Sequence, residues 1–164
     1  MIDKQPLRQL LEVMGFAVDL PEVVLDQLAA ASALVDYPAG ATIFHEGHEN
    51  HFLYLVHTGH VGLDMHVPGR GRVRILSIGP GEMLAWSALL GDGRMTVSAV
   101  AVDDTQVVAA AAHKLMEICR ADHNVGYELM SRMARTLAQR LTATRLQLLD
   151  LFAESGPGVF GPRS

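Results

Sequence analysis

The sequence predicts a mainly β domain with helices on both sides of it. Between Tyr37 and Ala112, short apolar runs alternate with turns at a spacing of roughly 8–12 residues, which is typical of a sandwich or barrel. The period of two is clearest in residues 61–67, where valine, leucine and methionine alternate with glycine, aspartate and histidine. On either side of this region, apolar residues recur every three or four positions, as they do in amphipathic helices.

The elements follow one another in a simple order. Residues 7–14 show helical spacing, and a second helix follows Pro21, a residue suited to a first helical position. A short helix near residues 115–119 precedes a long one, which Asp122 or Asn124 can cap and which runs to about Phe152. We therefore divide the chain into N-terminal helices (1–36), a β region (37–112), C-terminal helices (113–152) and a disordered tail (153–164).

The composition excludes several classes of protein. Hydrophobic residues make up 49% of the chain and charged residues 19%, which indicates a folded domain. The 13 basic residues against 18 acidic ones give a net charge of −5, a poor basis for free-standing nucleic-acid binding. The single cysteine excludes a disulfide framework and a four-thiolate metal site. No apolar run approaches the ~20 residues of a membrane span, and no secretory stretch opens the chain, so a soluble cytoplasmic protein is expected.

Three segments resemble the cyclic-nucleotide-binding domains of the Crp/Fnr superfamily. Residues 37–63 (YPAGATIFHEGHENHFLYLVHTGHVGL) share the family's turn, short strand, loop and Gly turn. Residues 76–104 (LSIGPGEMLAWSALLGDGRMTVSAVAVDD) are similar to the segment that holds the phosphate-binding cassette, here 79–98. Residues 126–152 (GYELMSRMARTLAQRLTATRLQLLDLF) are similar to the long dimerisation helix. The resemblance implies a double-stranded β-helix (jelly roll) and a small ligand between the roll and the long helix.

The resemblance also implies which residues would bind that ligand. The family's cassette opens with a Gly-Glu pair whose carboxylate accepts hydrogen bonds from the ribose 2′-hydroxyl, and a later arginine neutralises the cyclic phosphate. In the register set by the turn at residues 79–81, Ala85 and Trp86 stand at the Gly-Glu positions, and Arg94 stands at the arginine position. The other implied ligand-binding residues are Ser87, Ala88, Met95, Thr96 and Thr144.

These departures from the family's pattern predict weak nucleotide binding. Losing one charge-assisted hydrogen bond costs ~1.5–3 kcal/mol, which is roughly 10–100-fold in affinity. Trp86 places an indole where a carboxylate would stand, and Met95 has no hydroxyl group. In the alternative reading, Trp86 is a core residue and Arg94 is solvated. A register with Gly81-Glu82 as the pair is rejected, because it lengthens the gap to Arg94 and misplaces the short helix.

The last helix carries an apolar seam that predicts a parallel homodimer. Its members recur at alternating steps of four and three: Met130, Ala134, Leu137, Leu141, Thr144, Leu148 and Leu151. Val125, Leu129, Met133 and Leu146 lie beside the seam and favour packing on the helix's own domain as well. Thr144 is polar within the seam. The resemblance implies that it contacts the nucleotide base, and the alternative is a marker of register at the dimer axis.

The remaining polar residues do not indicate a site. The three histidines of residues 45–51 lie in a loop without the fixed geometry of a metal centre, so we assign no metal ligands and no haem. Arg70, Arg72 and Arg74 are expected to form a solvated face of a hairpin, and Cys119 is expected in the core.

Taken together, these features favour a non-enzymatic regulatory module that senses a small ligand and signals through a homodimer, with a further protein partner left open. A cyclic nucleotide (cAMP or cGMP), bound weakly, is one candidate ligand. The first alternative is a Crp/Fnr-type transcriptional regulator, as part of a longer chain or acting through a partner. Direct DNA binding is not expected, because only a Gly- and Pro-rich tail follows the long helix. The second alternative is a metal-binding jelly-roll protein.

Overall fold

The computed structural model describes residues 4–154 of the 164-residue chain. The helices are α1 (Lys4–Glu12), α2 (Glu22–Ala30), α3 (Ser87–Leu90), α4 (Ala112–Ala121) and α5 (His123–Glu154). The strands are β1 (Ser32–Tyr37), β2 (Thr42–Phe44), β3 (Phe52–Thr58), β4 (Val61–Val67), β5 (Gly71–Ile78), β6 (Met83–Leu84), β7 (Ser98–Ala101) and β8 (Thr105–Ala111). Most of the predicted C-terminal tail lies outside the described residues.

The strands form two antiparallel four-stranded sheets, which together make the predicted jelly roll. The first sheet has the order β1-β8-β3-β6 and the second the order β2-β7-β4-β5. Side chains from both sheets meet in one buried cluster, which includes Val56, Ile78, Ala99 and Val107. The mainly β fold with flanking helices and a long C-terminal helix is therefore confirmed.

A second core lies between the first sheet and the helices. Leu53 and Leu55 of β3 pack in this core, whereas Tyr54 and Val56 pack between the sheets. Because β3 is covered on both faces, it needs apolar side chains at successive positions, which explains its dense apolar run. The helices α1, α2, α4 and α5 contribute the other side of this core, for example Leu115 of α4.

One strand was missed by the sequence analysis. β1 begins inside residues 1–36, which were expected to be helical, and it pairs with β8 from Ser32 opposite Ala110 to Tyr37 opposite Thr105. Its serine and alanine residues give no clear strand pattern, so the long-range pairing with β8 decides its structure. The β region therefore begins at Ser32 rather than at Tyr37.

The ends of two helices can be compared with their predicted caps. The predicted cap of α5 is confirmed for Asp122, whose carboxylate accepts hydrogen bonds from the backbone N–H groups of Asn124 (3.0 Å) and Val125 (3.3 Å). Pro21 is the residue before α2, with ψ at 148°, rather than its first helical residue. In the part of the chain that the structure describes, no helix is long and apolar enough to cross a bilayer.

The turn between β3 and β4 requires a glycine, and this requirement gives a stability prediction. Gly59 has a φ of 87°, and a Cβ atom there would lie 2.5 Å from the carbonyl oxygen of Asp104. Gly40 has the same φ of 87°, but nothing lies within 4 Å of its Cβ position. We expect Gly40→Ala to cost about 1–2 kcal/mol, because only the left-handed backbone is strained. Gly59→Ala adds a backbone clash and should cost at least about twice as much.

Thermal unfolding of the two variants measures this difference. At about 2–4 °C per kcal/mol for a chain of this size, Gly40→Ala should lower Tm by a few degrees and Gly59→Ala by clearly more. An equal decrease of Tm in the two variants would show that Gly59 is required only because of its left-handed backbone, and not because of the close contact with Asp104.

Candidate functional site

The predicted cassette forms a sharp turn between β6 and α3. Ala85 has a φ of 68°, in the left-handed region that normally favours glycine. This is the position where the resemblance expects the glycine of the Gly-Glu pair. Ser87–Leu90 form the short helix that the resemblance implied, directly after Trp86.

Most of the predicted ligand-binding residues meet at one cavity inside the roll. The cavity has a volume of about 190 Å³. It is lined by Phe44, Leu63, Met65, Ile75, Leu76, Ala85, Trp86, Ser87, Met95, Thr96, Val97 and Arg140. The second sheet (β2, β4 and β5) and the cassette supply every lining residue except Arg140, which comes from α5. The cavity therefore lies where the resemblance expects a ligand, between the roll and the long helix.

Arg94 lies outside this cavity. Its side chain is exposed and donates a hydrogen bond to the carbonyl oxygen of Gly47 at 3.0 Å. The next residue, Met95, is 3% exposed and lines the cavity. The backbone around Met95 pairs with Gly47 and His48, so the segment is extended and successive side chains face opposite sides. The structure thus brings Met95, and not Arg94, to the cavity.

Two other predicted residues also lie away from the cavity. Ala88 is half-buried on α3 and packs against both hydrophobic cores. Thr144 is exposed on α5, and its hydroxyl donates to the carbonyl oxygen of Arg140 at 2.8 Å. Within one chain, neither side chain lines the cavity.

Among the described residues, Arg140 is the one charged residue that lines the cavity, and no role was predicted for it from the sequence. Its guanidinium donates to the carbonyl oxygen of Met83. Burial lowers the pKa of Arg140, an effect that the carboxylate of Glu82 opposes. The helical period contains the signal, because Arg140 continues the inward face of Leu129 and Met133 at steps of four and seven. A single arginine on the apolar, inward face of a helix indicates that a polar group of the same domain lies opposite it.

Met95 contacts a small polar cluster formed by Asn50 and Tyr54. The amide nitrogen of Asn50 contacts the Met95 sulfur at 3.7 Å and donates to the carbonyl oxygen of Phe52 at 2.7 Å. The hydroxyl of Tyr54 donates to the side-chain oxygen of Asn50 at 3.0 Å. Burial raises the pKa of the Tyr54 phenol, so this group stays protonated as a donor. The cluster fixes one wall of the cavity.

A larger and more polar cleft lies on the other side of Arg140. It has a volume of about 810 Å³ and lies between α5, the turn at residues 79–81 and the segment after α1. Acidic and basic side chains both line it, among them Glu82, Glu128, Arg132 and Arg135. Arg132 is already engaged, because it donates to the carbonyl oxygens that follow α1. Arg140 lines both spaces and stands where the cavity meets the cleft.

The predicted seam of α5 divides into two parts. Met130 packs partly against the helix–sheet core, and Leu137 is half-buried. Ala134 and the seam leucines beyond Leu137 are exposed: Leu141, Leu148 and Leu151. Within one chain, the C-terminal part of the seam is therefore not covered.

Other polar groups of the described residues behave as structural or solvated groups. Arg74 is not simply solvated as expected, because it donates to the buried carboxylate of Asp64 at 2.9 Å. The three histidines of residues 45–51 are exposed. No group of three metal-binding side chains occurs among residues 4–154. Burial raises the pKa of the Cys119 thiol, which packs partly against the helix–sheet core.

Solved structures share this fold. A putative cyclic nucleotide-binding protein from Geobacter metallireducens is similar over 86% of this chain and 99% of that one, with 28% identity and a TM-score of 0.71. The catabolite activator protein of Thermus thermophilus matches 85% of this chain and 63% of that one, with 29% identity and a TM-score of 0.69. Both structures share the jelly-roll fold of this chain.

Sequence comparisons establish the family. The model of the cyclic nucleotide-binding domain matches residues 34–122, and the chain belongs to this family. The chain is 36% identical over 104 residues to the cyclic AMP receptor protein of Thermus thermophilus, covering 63% of this chain and 48% of that protein. It is 32% identical over 125 residues to a CRP-like cAMP-activated global transcriptional regulator of Mycobacterium tuberculosis, covering 76% and 54%. The chain spans about half the length of these curated relatives.

Proposed function

We propose that this chain is a non-enzymatic sensor module that binds a small ligand in the cavity of the roll and signals through a homodimer. The observation that carries the proposal is the convergence of the cassette on the cavity of about 190 Å³ that Arg140 of α5 closes. Five of the eight residues implied by the resemblance line it: Ala85, Trp86, Ser87, Met95 and Thr96. A ligand there contacts both the roll and the helix, so its binding can be transmitted to α5.

The exposed seam of α5 supports the homodimer. Leu141, Leu148 and Leu151 are more than half exposed in one chain and recur at heptad spacing. A second copy of the same helix, running parallel, would cover all of them at once. This arrangement links the ligand cavity to the dimer, because Arg140 stands directly before Leu141 in the chain.

A cyclic nucleotide is a candidate ligand but is expected to bind weakly. Trp86 offers no carboxylate to a ribose 2′-hydroxyl, and Arg94 lies outside the cavity, bound to Gly47. The cavity is also smaller than the about 300–1,000 Å³ of typical small-molecule sites. The family membership and the names of the relatives, a cyclic AMP receptor protein and a cAMP-activated regulator, nevertheless make cAMP the first nucleotide to test.

Titration of the purified chain with cAMP and with cGMP tests this expectation. Trp86 is the single tryptophan and lines the cavity, so its fluorescence reports binding, and calorimetry measures the affinity independently. We expect a Kd of about 0.1 mM or weaker for both nucleotides, because at least one charge-assisted bond is missing. Arg94→Ala should leave this value unchanged. Binding tighter than about 10 µM that Arg94→Ala abolishes would contradict the weak-binding proposal.

A second candidate is the sensor part of a transcriptional regulator. The similarity to the cAMP-activated global transcriptional regulator of Mycobacterium tuberculosis favours it, over 76% of this chain. In that case residues 4–154 would bind the ligand and form the dimer, and the net charge of −5 argues against DNA contacts by this chain itself.

A further inference from the structure

The walls of the roll cavity are almost entirely apolar. Eight of its lining residues are Phe44, Leu63, Met65, Ile75, Leu76, Ala85, Met95 and Val97. Its volume of about 190 Å³ is close to that of an engineered apolar cavity, about 150 Å³, that binds benzene. The apolar part of the cavity therefore has the size and chemistry to hold one phenyl ring.

The cavity also has a positive end. Arg140 is the one charged side chain that lines it, and no aspartate or glutamate is among the lining residues. The guanidinium carries five N–H donors, and the hydrogen bond to Met83 is the one that the structure shows within residues 4–154. Donors of Arg140 are thus left for an anionic group at the boundary between the cavity and the cleft.

Ser87 is a second, independent indication of a polar ligand group. It is 5% exposed, and its hydroxyl has no hydrogen-bond partner among residues 4–154. No fully buried side-chain oxygen or nitrogen in the described part of the chain lacks a partner, so the Ser87 hydroxyl must still reach open space. Because Ser87 lines the cavity, its hydroxyl is available to a group bound there. An acceptor atom of a ligand would satisfy this hydroxyl.

From these groups we infer that the cavity binds a small aromatic carboxylate, with the ring between the second sheet and the cassette and the carboxylate facing Arg140 and Ser87. A planar carboxylate matches the fork of a guanidinium, and one phenyl ring matches the volume of the apolar part. A cyclic nucleotide fits this cavity less well, because a ribose and a phosphodiester would meet apolar side chains such as Met95 and Val97. The inference rests on the proposed function, since it names the ligand class for the same cavity.

Phenylacetate is the probe, and phenylacetamide is its uncharged match. The purified chain is titrated with each, and binding is followed by Trp86 fluorescence and by calorimetry. We expect phenylacetate to saturate the site and phenylacetamide to bind at least about tenfold more weakly, because the charge-assisted bond to Arg140 is lost. Equal affinity for the two probes would overturn the inference.

Variants distinguish binding of phenylacetate in the cavity from binding elsewhere on the protein. Arg140→Met should weaken phenylacetate binding at least about tenfold, and Ser87→Ala by a smaller factor. Arg135→Met is the matched control on the same helix, because Arg135 lines only the cleft, and it should leave binding unchanged. Val97→Phe keeps Arg140 but fills the cavity and should abolish binding. Circular dichroism and thermal unfolding show that each variant is folded, and unchanged binding in folded Val97→Phe overturns the inference.

The outcomes distinguish this inference from the proposed function. If the chain is a dimer that binds cAMP but gives no response to phenylacetate, the inference fails and the sensor proposal stands. If the chain is a monomer that responds to neither compound, both fail. Saturable binding of phenylacetate that requires Arg140 supports both.

Discussion

A dimer of this chain will dissociate into monomers when Leu141 and Leu148 are both replaced by aspartate. The two side chains are 52% and 51% exposed in a single chain, so the fold of one chain does not depend on them. In the proposed parallel dimer they face their counterparts, and the carboxylates would be buried without a partner, which costs several kcal/mol. Sedimentation velocity at micromolar concentration should give about twice the monomer mass for the parent and the monomer mass for the variant.

The matched control uses leucines of the same helix that lie off the seam. Leu146 and Leu149 are at least as exposed, at 57% and 63%, but occupy outer positions of a two-stranded coil. Leu146→Asp with Leu149→Asp should remain a dimer. Leu137 is a poorer test position, because it is already half-buried in one chain and its replacement would also affect the fold. The proposed dimer through the α5 seam is wrong if the parent chain is a monomer, or if the control variant also dissociates into monomers.

The extent to which the fold follows from the sequence depends on where each segment packs. β4 was predicted from its alternation, because Val61 and Leu63 enter the core while Gly62 and Asp64 lie on the opposite face, where Arg74 covers them. β3 was predicted from its dense apolar run. β1 was missed because its alternation is weak and its structure depends on pairing with β8, which lies more than sixty residues away in the chain.

The sequence located the cassette but not which of its side chains line the cavity. The glycine pattern located the cassette, and the left-handed backbone of Ala85 agrees with that register. Motif spacing assigned Arg94 to the ligand, but one residue in an extended segment decides which side chain faces inward, and Met95 does. No role was predicted for Arg140 from the sequence. The helical period places Arg140 on the inward face of α5, but its partner Met83 lies far away in the sequence, so no local pattern identifies that contact.

Replacing Trp86 and Met95 tests whether the cavity can be made to bind a cyclic nucleotide. Trp86 and Met95 line the same cavity; Trp86 stands at the position of the family's ribose carboxylate, and Met95 directly follows the position of its phosphate arginine. We expect Trp86→Glu with Met95→Arg to bind cAMP with a Kd of about 10 µM or tighter, at least about tenfold better than the parent, since each restored charge-assisted bond contributes roughly 1.5–3 kcal/mol. Calorimetry measures this, because the variant has no tryptophan.

Binding of cAMP to the same variant should also be detectable as an increase in its thermal stability. Met95 is 3% exposed, so the unliganded double variant buries a new charge and should unfold at a lower temperature than the parent. A cAMP concentration of 100 times the Kd adds about 2.7 kcal/mol to the folded state, so cAMP should restore much of the lost stability. Arg94→Ala in this background is the control and should change neither the affinity nor the stabilisation. If affinity for cAMP does not rise, or if it rises only while Arg94 is present, then Met95 does not occupy the phosphate position and the assignment of the cavity as the nucleotide site is wrong.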